Sequence, residues 1–349
     1  MASAVDYPTL AADVAKATLA NGSAPSLADL AETWGLAGPA GALKRIKQLV
    51  RQGYVAALKR QDEELTRYHP TPRAFGALAA RGDLPKGARS LIPIVAVYNE
   101  AGGMGKSTLA RALAEGMANA GFKVLAIDAD PQGTLTSWLL GGEEPALEET
   151  LFYLYKHRSL PEPRQVNENL HLIPAMPEMH QVNELIGQVP GTTMYLARAL
   201  KKDGVLERYD LVVFDTKGAR DALVESALMA ANLALVPFQP SPKGVVGGLA
   251  AVQAMLGYGE FHDLDDFALG AVPNMLDTRV KADRRGLEHI RGMLAEWGVP
   301  LFSPIPYRPA AFRGAEMKDS LGADNQPLWY TMGEVVAEIL RRRTVRGAA

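Results

Sequence analysis

The chain has 349 residues, a formal net charge of −2, 48% hydrophobic and 22% charged residues, and no cysteine. This balance is ordinary for a globular protein, the length exceeds that of one typical domain, and the lack of cysteine excludes disulfides and thiolate chemistry. No apolar run approaches the roughly 20 residues of a membrane span, and the start lacks a basic region followed by an apolar core, so we expect a cytoplasmic protein with no membrane partner.

Charge divides the chain into a basic part and an acidic part. Residues 1–90 carry 12 Lys and Arg against 8 Asp and Glu, whereas the remainder carries 25 against 31. The stretch 83–90 is rich in Gly, Pro and charge, and it is typical of a linker. We therefore predict a small domain at 1–82 with an anionic partner, followed by a larger domain at 91–349.

The first 82 residues predict a small, mainly helical domain. Ser26 and Asp29 form a capping-box pattern at the start of its second helix. The predicted elements are helices at about 10–19, 27–34, 40–52 and 71–80, and hairpin strands at 53–60 and 64–69. The segment 25–55 is similar to winged helix-turn-helix repressor domains, which implies a fold that binds duplex DNA.

A basic stripe lies on the third predicted helix. Lys44, Lys47 and Arg51 fall on one helical face, with Arg45 beside them. Helix-turn-helix proteins place this helix in the major groove, where Arg and Lys contact guanine and phosphates. We predict that these four residues bind DNA; a merely solvated helix face is the alternative.

The remaining sequence alternates apolar strands with helices. The predicted strands are 91–98, 124–128, 170–174, 211–215, 233–237, 267–273 and about 300–305. Near-continuous apolar strands of this kind predict an α/β fold with a mostly parallel sheet that is covered on both faces.

A glycine-rich loop lies between the first of these strands and an amphipathic helix. Residues 99–108 read Asn-Glu-Ala-Gly-Gly-Met-Gly-Lys-Ser-Thr. Such glycines let successive backbone N–H groups point at one anion, and the helix start adds its positive dipole end. The predicted phosphate-binding residues are Gly102, Gly103, Met104, Gly105, Lys106, Ser107 and Thr108. Lys106 would reach the outer phosphates, and the Ser107 hydroxyl would bind Mg²⁺.

Carboxylates follow two further strands. Asp128 and Asp130 end one strand and are two residues apart, which predicts that both point to the same side. Asp215 ends another strand, where a carboxylate beside a phosphate loop can hold the shell of a Mg²⁺ ion. The six histidines form no close pair, so we expect no histidine metal site.

These motifs resemble those of the ParA/MinD family of deviant P-loop ATPases, and within it the ParA partition proteins. The segments that carry the resemblance are 101–107, 128–133, 236–241, 272–279 and 305–308. The resemblance implies that ATP or ADP binds with Mg²⁺, that Asp130 orients the attacking water, and that Ser107, Asp215 and Asp130 surround the metal. It also implies that Asn274 lies against the adenine, with Pro306 in the same cofactor-binding set.

Two residues depart from the family pattern. The family's signature lysine, which reaches the partner's nucleotide across a dimer, falls at Ala101. A cation at a phosphoryl transition state can be worth roughly 10³–10⁵ in rate, so hydrolysis is expected to be slow. Lys217 stands where the family usually has proline; it either replaces the missing catalytic cation in part or is a solvated loop lysine.

The C-terminal stretch 332–343 has an apolar face followed by three arginines. It is expected to be a core-packed last helix whose basic end complements the helix dipole. A membrane-surface helix, or a contribution of the arginines to a nonspecific DNA face with Arg279, Lys281, Arg284 and Arg285, are the alternatives.

Two functions remain open from the sequence. The first is a ParA-like DNA-partition ATPase, associated with the nucleoid, that forms an ATP-dependent homodimer, binds DNA and responds to a ParB-like centromere-binding protein. The second is a nucleotide-switched transcriptional repressor with little turnover. Ala101 favours the second function, and the intact Asp130 and Asp215 favour the first.

Overall fold

A computed structural model describes residues 5–58, 66–84, 93–188, 191–263, 267–307 and 325–345. The chain forms two compact units, and each is described by itself. The first unit consists of residues 1–90, 119–121 and 323–349, and the second of residues 91–118 and 122–322.

The first unit is mainly helical and contains one antiparallel hairpin. Its elements are α1 (Tyr7–Asn21), α2 (Leu27–Thr33), α3 (Pro39–Arg51), β1 (Val55–Leu58), β2 (Arg67–Pro70), α4 (Pro72–Ala80) and the C-terminal helix α14 (Gln326–Val345). The predicted capping box is confirmed, because the Asp29 N–H donates to the Ser26 hydroxyl (3.2 Å) and the Ser26 N–H donates to the Asp29 carboxylate (2.9 Å). The tip of the predicted wing, at residues 59–65, lies outside the described residues.

The C-terminal helix differs from the expected division, which put residues 91–349 in one domain. Helix α14 packs against β1, β2, α1 and α4 of the first unit. The Ala57 N–H donates to the Gln326 side chain (3.1 Å), and the ring of Tyr330 lies 5.3 Å from that of His69. A two-stranded hairpin cannot bury both its faces alone, so a helix distant in sequence completes this unit. Residues 85–90, most of the predicted linker, lie outside the described residues.

The end of α14 is paired within its own helix. Glu338 is buried and forms ion pairs with both Arg341 and Arg342. Val335, Val336 and Ile339 of the same helix are buried, so the core-packed interpretation is confirmed for its described residues. None of the described helices is both long enough and apolar enough to span a membrane.

The second unit is a seven-stranded sheet covered by helices. Its strands are β3 (Ile94–Val97), β4 (Val124–Ala129), β5 (Arg164–Gln165), β6 (Leu170–Ile173), β7 (Leu211–Thr216), β8 (Leu233–Phe238) and β9 (Ala268–Pro273), in the order β5-β6-β4-β7-β3-β8-β9. Its helices are α5 (Lys106–Asn119), α6 (Thr134–Leu140), α7 (Leu151–His157), α8 (Gln181–Gln188), α9 (Tyr195–Lys202), α10 (Val205–Arg208), α11 (Ala222–Ala230), α12 (Pro242–Phe261) and α13 (Lys281–Glu296).

The predicted mostly parallel α/β sheet is confirmed, with two differences. The short strand β5 pairs antiparallel to β6 at the sheet edge and was not predicted, because two residues carry no periodic signal. The predicted strand at 300–305 is wrong, since this segment forms only isolated bridges, Ala271 to Leu301 and Leu276 to Pro306. The carboxyl ends of β4, β7 and β3 lie side by side, which is where ligands bind in such sheets.

Gly333 tests whether α14 is seated in the first unit. A Cβ atom there would lie 2.0 Å from the Pro70 carbonyl oxygen, whereas a Cβ at Gly292, on an exposed helix face, would meet nothing within 4 Å. We expect Gly333→Ala to destabilise the protein by about 1–3 kcal/mol through overpacking. The matched control Gly292→Ala should be neutral or stabilising by up to about 1 kcal/mol. Urea unfolding followed by tryptophan fluorescence measures both; equal effects would contradict the packing of α14.

Candidate functional site

The glycine-rich loop joins β3 to α5 and has the backbone that its sequence requires. Gly103 and Gly105 have φ values of 72° and 84°, in the left-handed region. A Cβ at Gly105 would also lie 2.1 Å from the side-chain nitrogen of Asn274. Only glycine fits at residue 105, because the left-handed backbone and the Asn274 side chain both exclude a Cβ.

Two asparagines brace this loop. The Asn99 amide donates to the Pro237 carbonyl (2.8 Å), and its oxygen accepts from the Ala101 N–H (2.9 Å). The Asn274 amide donates to the Met104 carbonyl (3.0 Å). The sequence analysis did not predict a role for Asn99, although its position directly after a buried strand could have indicated one. Asn274, expected against the adenine, holds the apex of the loop.

Lys106 is a buried cation at the first turn of α5. It is 8% exposed, and its ammonium donates to the Ala101 carbonyl (3.0 Å). Burial lowers the pKa of Lys106, while the charges of Asp215 and Asp130 oppose that shift. The lysine is therefore held over the loop, close to two carboxylates.

The two strand-end carboxylates are neighbours. Asp128 on β4 and Asp215 on β7 pair in register, and both side chains are fully buried. Asp128 accepts from the Asp130 N–H (3.0 Å) and from both the N–H (2.9 Å) and the hydroxyl (2.8 Å) of Thr136. Neither oxygen of Asp215 has a partner with full hydrogen-bond geometry in the described part of the chain.

This asymmetry sets the electrostatics of the site. Burial raises the pKa of Asp215 well above its usual range, and the neighbouring Asp128 raises it further; the Ser107 hydroxyl and Lys106 act in the opposite direction. Burial also raises the pKa of Asp128 to about 6, against the hydrogen bonds from Thr136. The fold thus holds a buried carboxyl group at Asp215 whose ionised form a nearby cation would stabilise.

Asp130 differs from Asp128 in its position and its burial. Strand β4 ends at Ala129, so the alternation that predicted a shared direction stops before Asp130. Asp130 is partly exposed in the following turn, where its carboxylate accepts from the Gln132 N–H (2.9 Å). The DxD motif therefore combines a buried residue that shapes the turn with a second carboxylate nearer the solvent.

Lys217 lies beside the loop but is ion-paired. Its ammonium contacts the carboxylate of Asp221, which also caps α11. The next residue, Gly218, is packed on the loop, since a Cβ there would lie 2.8 Å from the Glu100 carbonyl oxygen. The ion pair with Asp221 leaves both alternatives for Lys217 open, a catalytic cation or a loop lysine.

Three further predicted ligand residues are Ser107, Thr108 and Pro306. Ser107 and Thr108 lie in the first turn of α5 and are partly exposed. Pro306 bridges to Leu276, two residues after Asn274. The described residues contain no cluster of three or more His, Asp or Glu side chains that could hold a metal by itself. A hydroxyl and one or two carboxylates are nonetheless enough for Mg²⁺, which keeps several waters and uses substrate phosphates.

The predicted DNA-binding residues lie in the first unit, on α3. Lys44, Lys47 and Arg51 are exposed, whereas Ile46 and Leu49 are buried on the other side of the helix. Arg45 is half-buried, and its guanidinium lies 5.9 Å from the centre of the Trp34 ring. Three of the four basic residues therefore share a free face.

Comparison with known proteins identifies the second unit. Residues 92–256 match a protein family described as an AAA domain. A probable plasmid-partitioning protein ParA from Thermus thermophilus is 38% identical over 225 residues, which span 62% of this chain and 68% of that protein.

Solved structures agree on the fold. Apo McdA from Cyanothece has a TM-score of 0.63 at 22% identity, over 70% of this chain and 100% of that one. A cobyrinic acid a,c-diamide synthase from Mycobacterium smegmatis, with a bound ATP analogue and magnesium, has a TM-score of 0.55 at 26% identity, over 68% of this chain and 92% of that one. The braced glycine loop, the two strand-end aspartates and these similarities together show that the chain belongs to the ParA family of P-loop partition ATPases.

Proposed function

We propose that this protein is a DNA-partition ATPase that binds ATP or ADP with Mg²⁺, dimerises when ATP is bound, and contacts DNA. The observation that carries the proposal is the fully buried Asp215 carboxylate at the end of β7, close to Ser107 and Lys106. Ionising a fully buried carboxyl group is costly, and a divalent cation bound to phosphates would offset that cost.

Nucleotide and metal fit the residues that are present. The glycine-rich loop can point successive backbone N–H groups at a phosphate, and helix α5 begins directly behind it. Ser107 and Asp215 would hold Mg²⁺, with Asp130 near its outer shell. When bound, the ion neutralises charge that develops on the transferred phosphoryl group.

Three side chains would bind the phosphates, orient the attacking water and supply the catalytic cation. Lys106, which contacts the Ala101 carbonyl at 3.0 Å, would exchange that oxygen for a phosphate oxygen. Asp130 lies partly exposed and near Lys106, so it can orient a water for attack on the outer phosphate. Lys217, held by Asp221, is the catalytic cation that the chain offers in place of the residue lost at Ala101.

The first unit would bind specific DNA as a winged helix-turn-helix domain, for autoregulation or at a centromere. Its support is the exposed basic face of α3 together with the hairpin that follows it. The exposed Arg279, Lys281, Arg284 and Arg285 could add nonspecific DNA contacts in the second unit. The expected partners are DNA, a second copy of the chain and a ParB-like centromere-binding protein.

A nucleotide-switched repressor with little turnover is the second candidate. It is favoured by Ala101 and by the ion pair that occupies Lys217. An ATPase assay with and without DNA, and with the product of a neighbouring gene, separates the two. Stimulated turnover supports the partition ATPase, and nucleotide-dependent operator binding without turnover supports the repressor.

Nucleotide binding is expected to depend on Lys106. Lys106→Ala removes the cation that faces the phosphates and should weaken ATP and ADP binding at least tenfold in calorimetry. Lys123→Ala, which changes an exposed lysine at the other end of the sheet, is the matched control and should bind as the natural protein does. Equal affinity in all three proteins would contradict the site.

The stability of the nucleotide-free protein should depend on pH through Asp215. The folded state raises the pKa of Asp215. Between the ordinary pKa of an aspartate and this raised pKa, the folded protein holds a proton that the unfolded chain has released, so stability falls as pH rises through that interval. Asp215→Asn removes the buried charge, so it should flatten this fall and leave the variant at least as stable at neutral pH. Thermal unfolding without nucleotide measures both. A less stable variant with an unchanged pH dependence would contradict the assignment.

Turnover should be limited by residue 101. Ala101→Lys restores a cation used mainly at the transition state, so it should raise kcat at least tenfold with little change in nucleotide affinity. Lys217→Gln should lower turnover in the natural background but do little once lysine is present at 101. Asp221→Asn, which frees Lys217 while keeping a good helix cap, should not lower turnover. Additive effects of the changes at 101 and 217 would reject compensation.

DNA binding is expected to use α3. Lys44→Ala with Lys47→Ala should weaken duplex binding at low salt and reduce the slope of log affinity against log salt by up to about 2, since each phosphate contact contributes roughly 0.9. Lys201→Ala with Lys202→Ala, an exposed lysine pair at the end of α9, is the control. Binding that is unchanged by the α3 pair would show that the helix is not the DNA contact.

A further inference from the structure

Helix α12 carries an exposed face with a regular spacing. Its members lie alternately three and four residues apart and are all exposed: Lys243, Val246, Ala250, Gln253, Gly257 and Glu260. The outer face of any surface helix has this spacing, so the case for a partner helix rests on which side chains occupy the face. We call these six residues the α12 seam, and we propose that it binds the same seam of a second copy of this chain, with the two helices antiparallel.

The glycines of α12 point to an external contact. A Cβ at Gly244 would lie 2.2 Å from the Gln239 carbonyl oxygen, and one at Gly248 would lie 2.8 Å from Phe238, so packing against the sheet requires both glycines. A Cβ at Gly257, or at Gly247 next to Gly248, would meet nothing within 4 Å. Glycine inside a helix costs stability, and at these two positions nothing in the described part of the chain accounts for it. A missing side chain on an outer face lets another backbone approach closely.

Apolar side chains flank the small residues. Phe261 is 82% exposed and Val246 is 69% exposed, the highest values among the large hydrophobic residues that the structure describes. Both belong to α12, one near each end of the seam. A large exposed side chain toward each end of α12 fits a partner helix turned end for end.

The seam is complementary to itself. A two-fold axis that passes between Ala250 and Gln253 places Val246 opposite Gly257, so that a large side chain meets a missing one. The same axis places Lys243 opposite Glu260, an ion pair made twice, and Pro242 opposite Phe261. A face that pairs large with small and cation with anion under one two-fold operation has the property of an isologous interface.

A cavity lies at one end of the seam. It has a volume of about 340 Å³, and its lining includes Gly257 and Phe261 of the α12 end and the ion pair of Arg220 and Glu225. Tyr258 also lines it; this residue is 7% exposed, and its hydroxyl has no hydrogen-bond partner within the described ranges. Val246 of the second copy, opposite Gly257, would cover the mouth of this cavity.

The contact goes beyond the proposed function because it needs no nucleotide. None of the seam residues belongs to the glycine loop or to the carboxylate site. The contact would therefore form in nucleotide-free protein, and it survives or fails independently of ATP binding.

Sedimentation equilibrium of the full chain in EDTA tests the proposal. We expect a concentration-dependent dimer in both the natural protein and Lys106→Ala. Ala250→Glu, which puts charges beside the two-fold axis, should weaken dimerisation at least tenfold. Gly292→Glu, a charge placed on an exposed and uncrowded face of α13, is the control and should leave it unchanged. A monomer at all concentrations, or a dimer indifferent to Ala250→Glu, would overturn the proposal.

A charge exchange tests the antiparallel register. Lys243→Glu alone creates two like-charge contacts with Glu260 and should weaken the dimer several-fold. Lys243→Glu with Glu260→Lys restores both pairs and should recover the natural dissociation constant. If the double variant is as weak as the single one, the register is wrong. Circular dichroism and thermal unfolding of each variant verify that the fold is retained.

Discussion

Two carboxylates, Asp128 and Asp215, are buried side by side at the ends of β4 and β7, and the fold supplies three hydrogen-bond donors to the first. Asp215 is left with a carboxyl group whose charged form is disfavoured by burial and by its neighbour. The rest of the site follows from this imbalance. Burial lowers the pKa of Lys106 and the nearby carboxylates oppose that shift, while the Ser107 hydroxyl stabilises the charged form of Asp215. A divalent ion carried by a nucleotide would complete the charge balance.

The geometry that keeps the site open lies in the loop. Gly105 has no alternative, because its conformation and the side chain of Asn274 both exclude a Cβ. Asn99 holds the start of the loop through the Ala101 N–H, and Asn274 holds the Met104 carbonyl further along it. The backbone conformation of the loop is thus fixed by the fold, whereas the proposed effects on turnover rest on the side chains of residues 101 and 217.

The sequence predicted the parts of the structure that repeat a pattern. The apolar strands, the loop between β3 and α5 and the capping box at Ser26 all have strong local signals, and the structure has them. The features that the sequence prediction missed depend on contacts between residues that are distant in sequence. Nothing in the spacing of 332–343 shows that α14 packs on a hairpin near residue 57, and the DxD motif does not show that β4 ends before Asp130. The ion pair between Lys217 and Asp221 likewise depends on the turn that leads into α11.

The most direct test of the central claim is a Mg²⁺ titration of ADP-saturated protein by calorimetry, comparing the natural chain with Asp215→Asn and Asp128→Asn. If Asp215 is the anion left for the metal, Asp215→Asn should lower Mg²⁺ affinity at least tenfold while ADP binding in EDTA is kept. Asp128→Asn should have a smaller effect on the metal, since Asp128 is already engaged by Thr136 and the Asp130 N–H. Mg²⁺ affinity that is unchanged by Asp215→Asn would contradict the account.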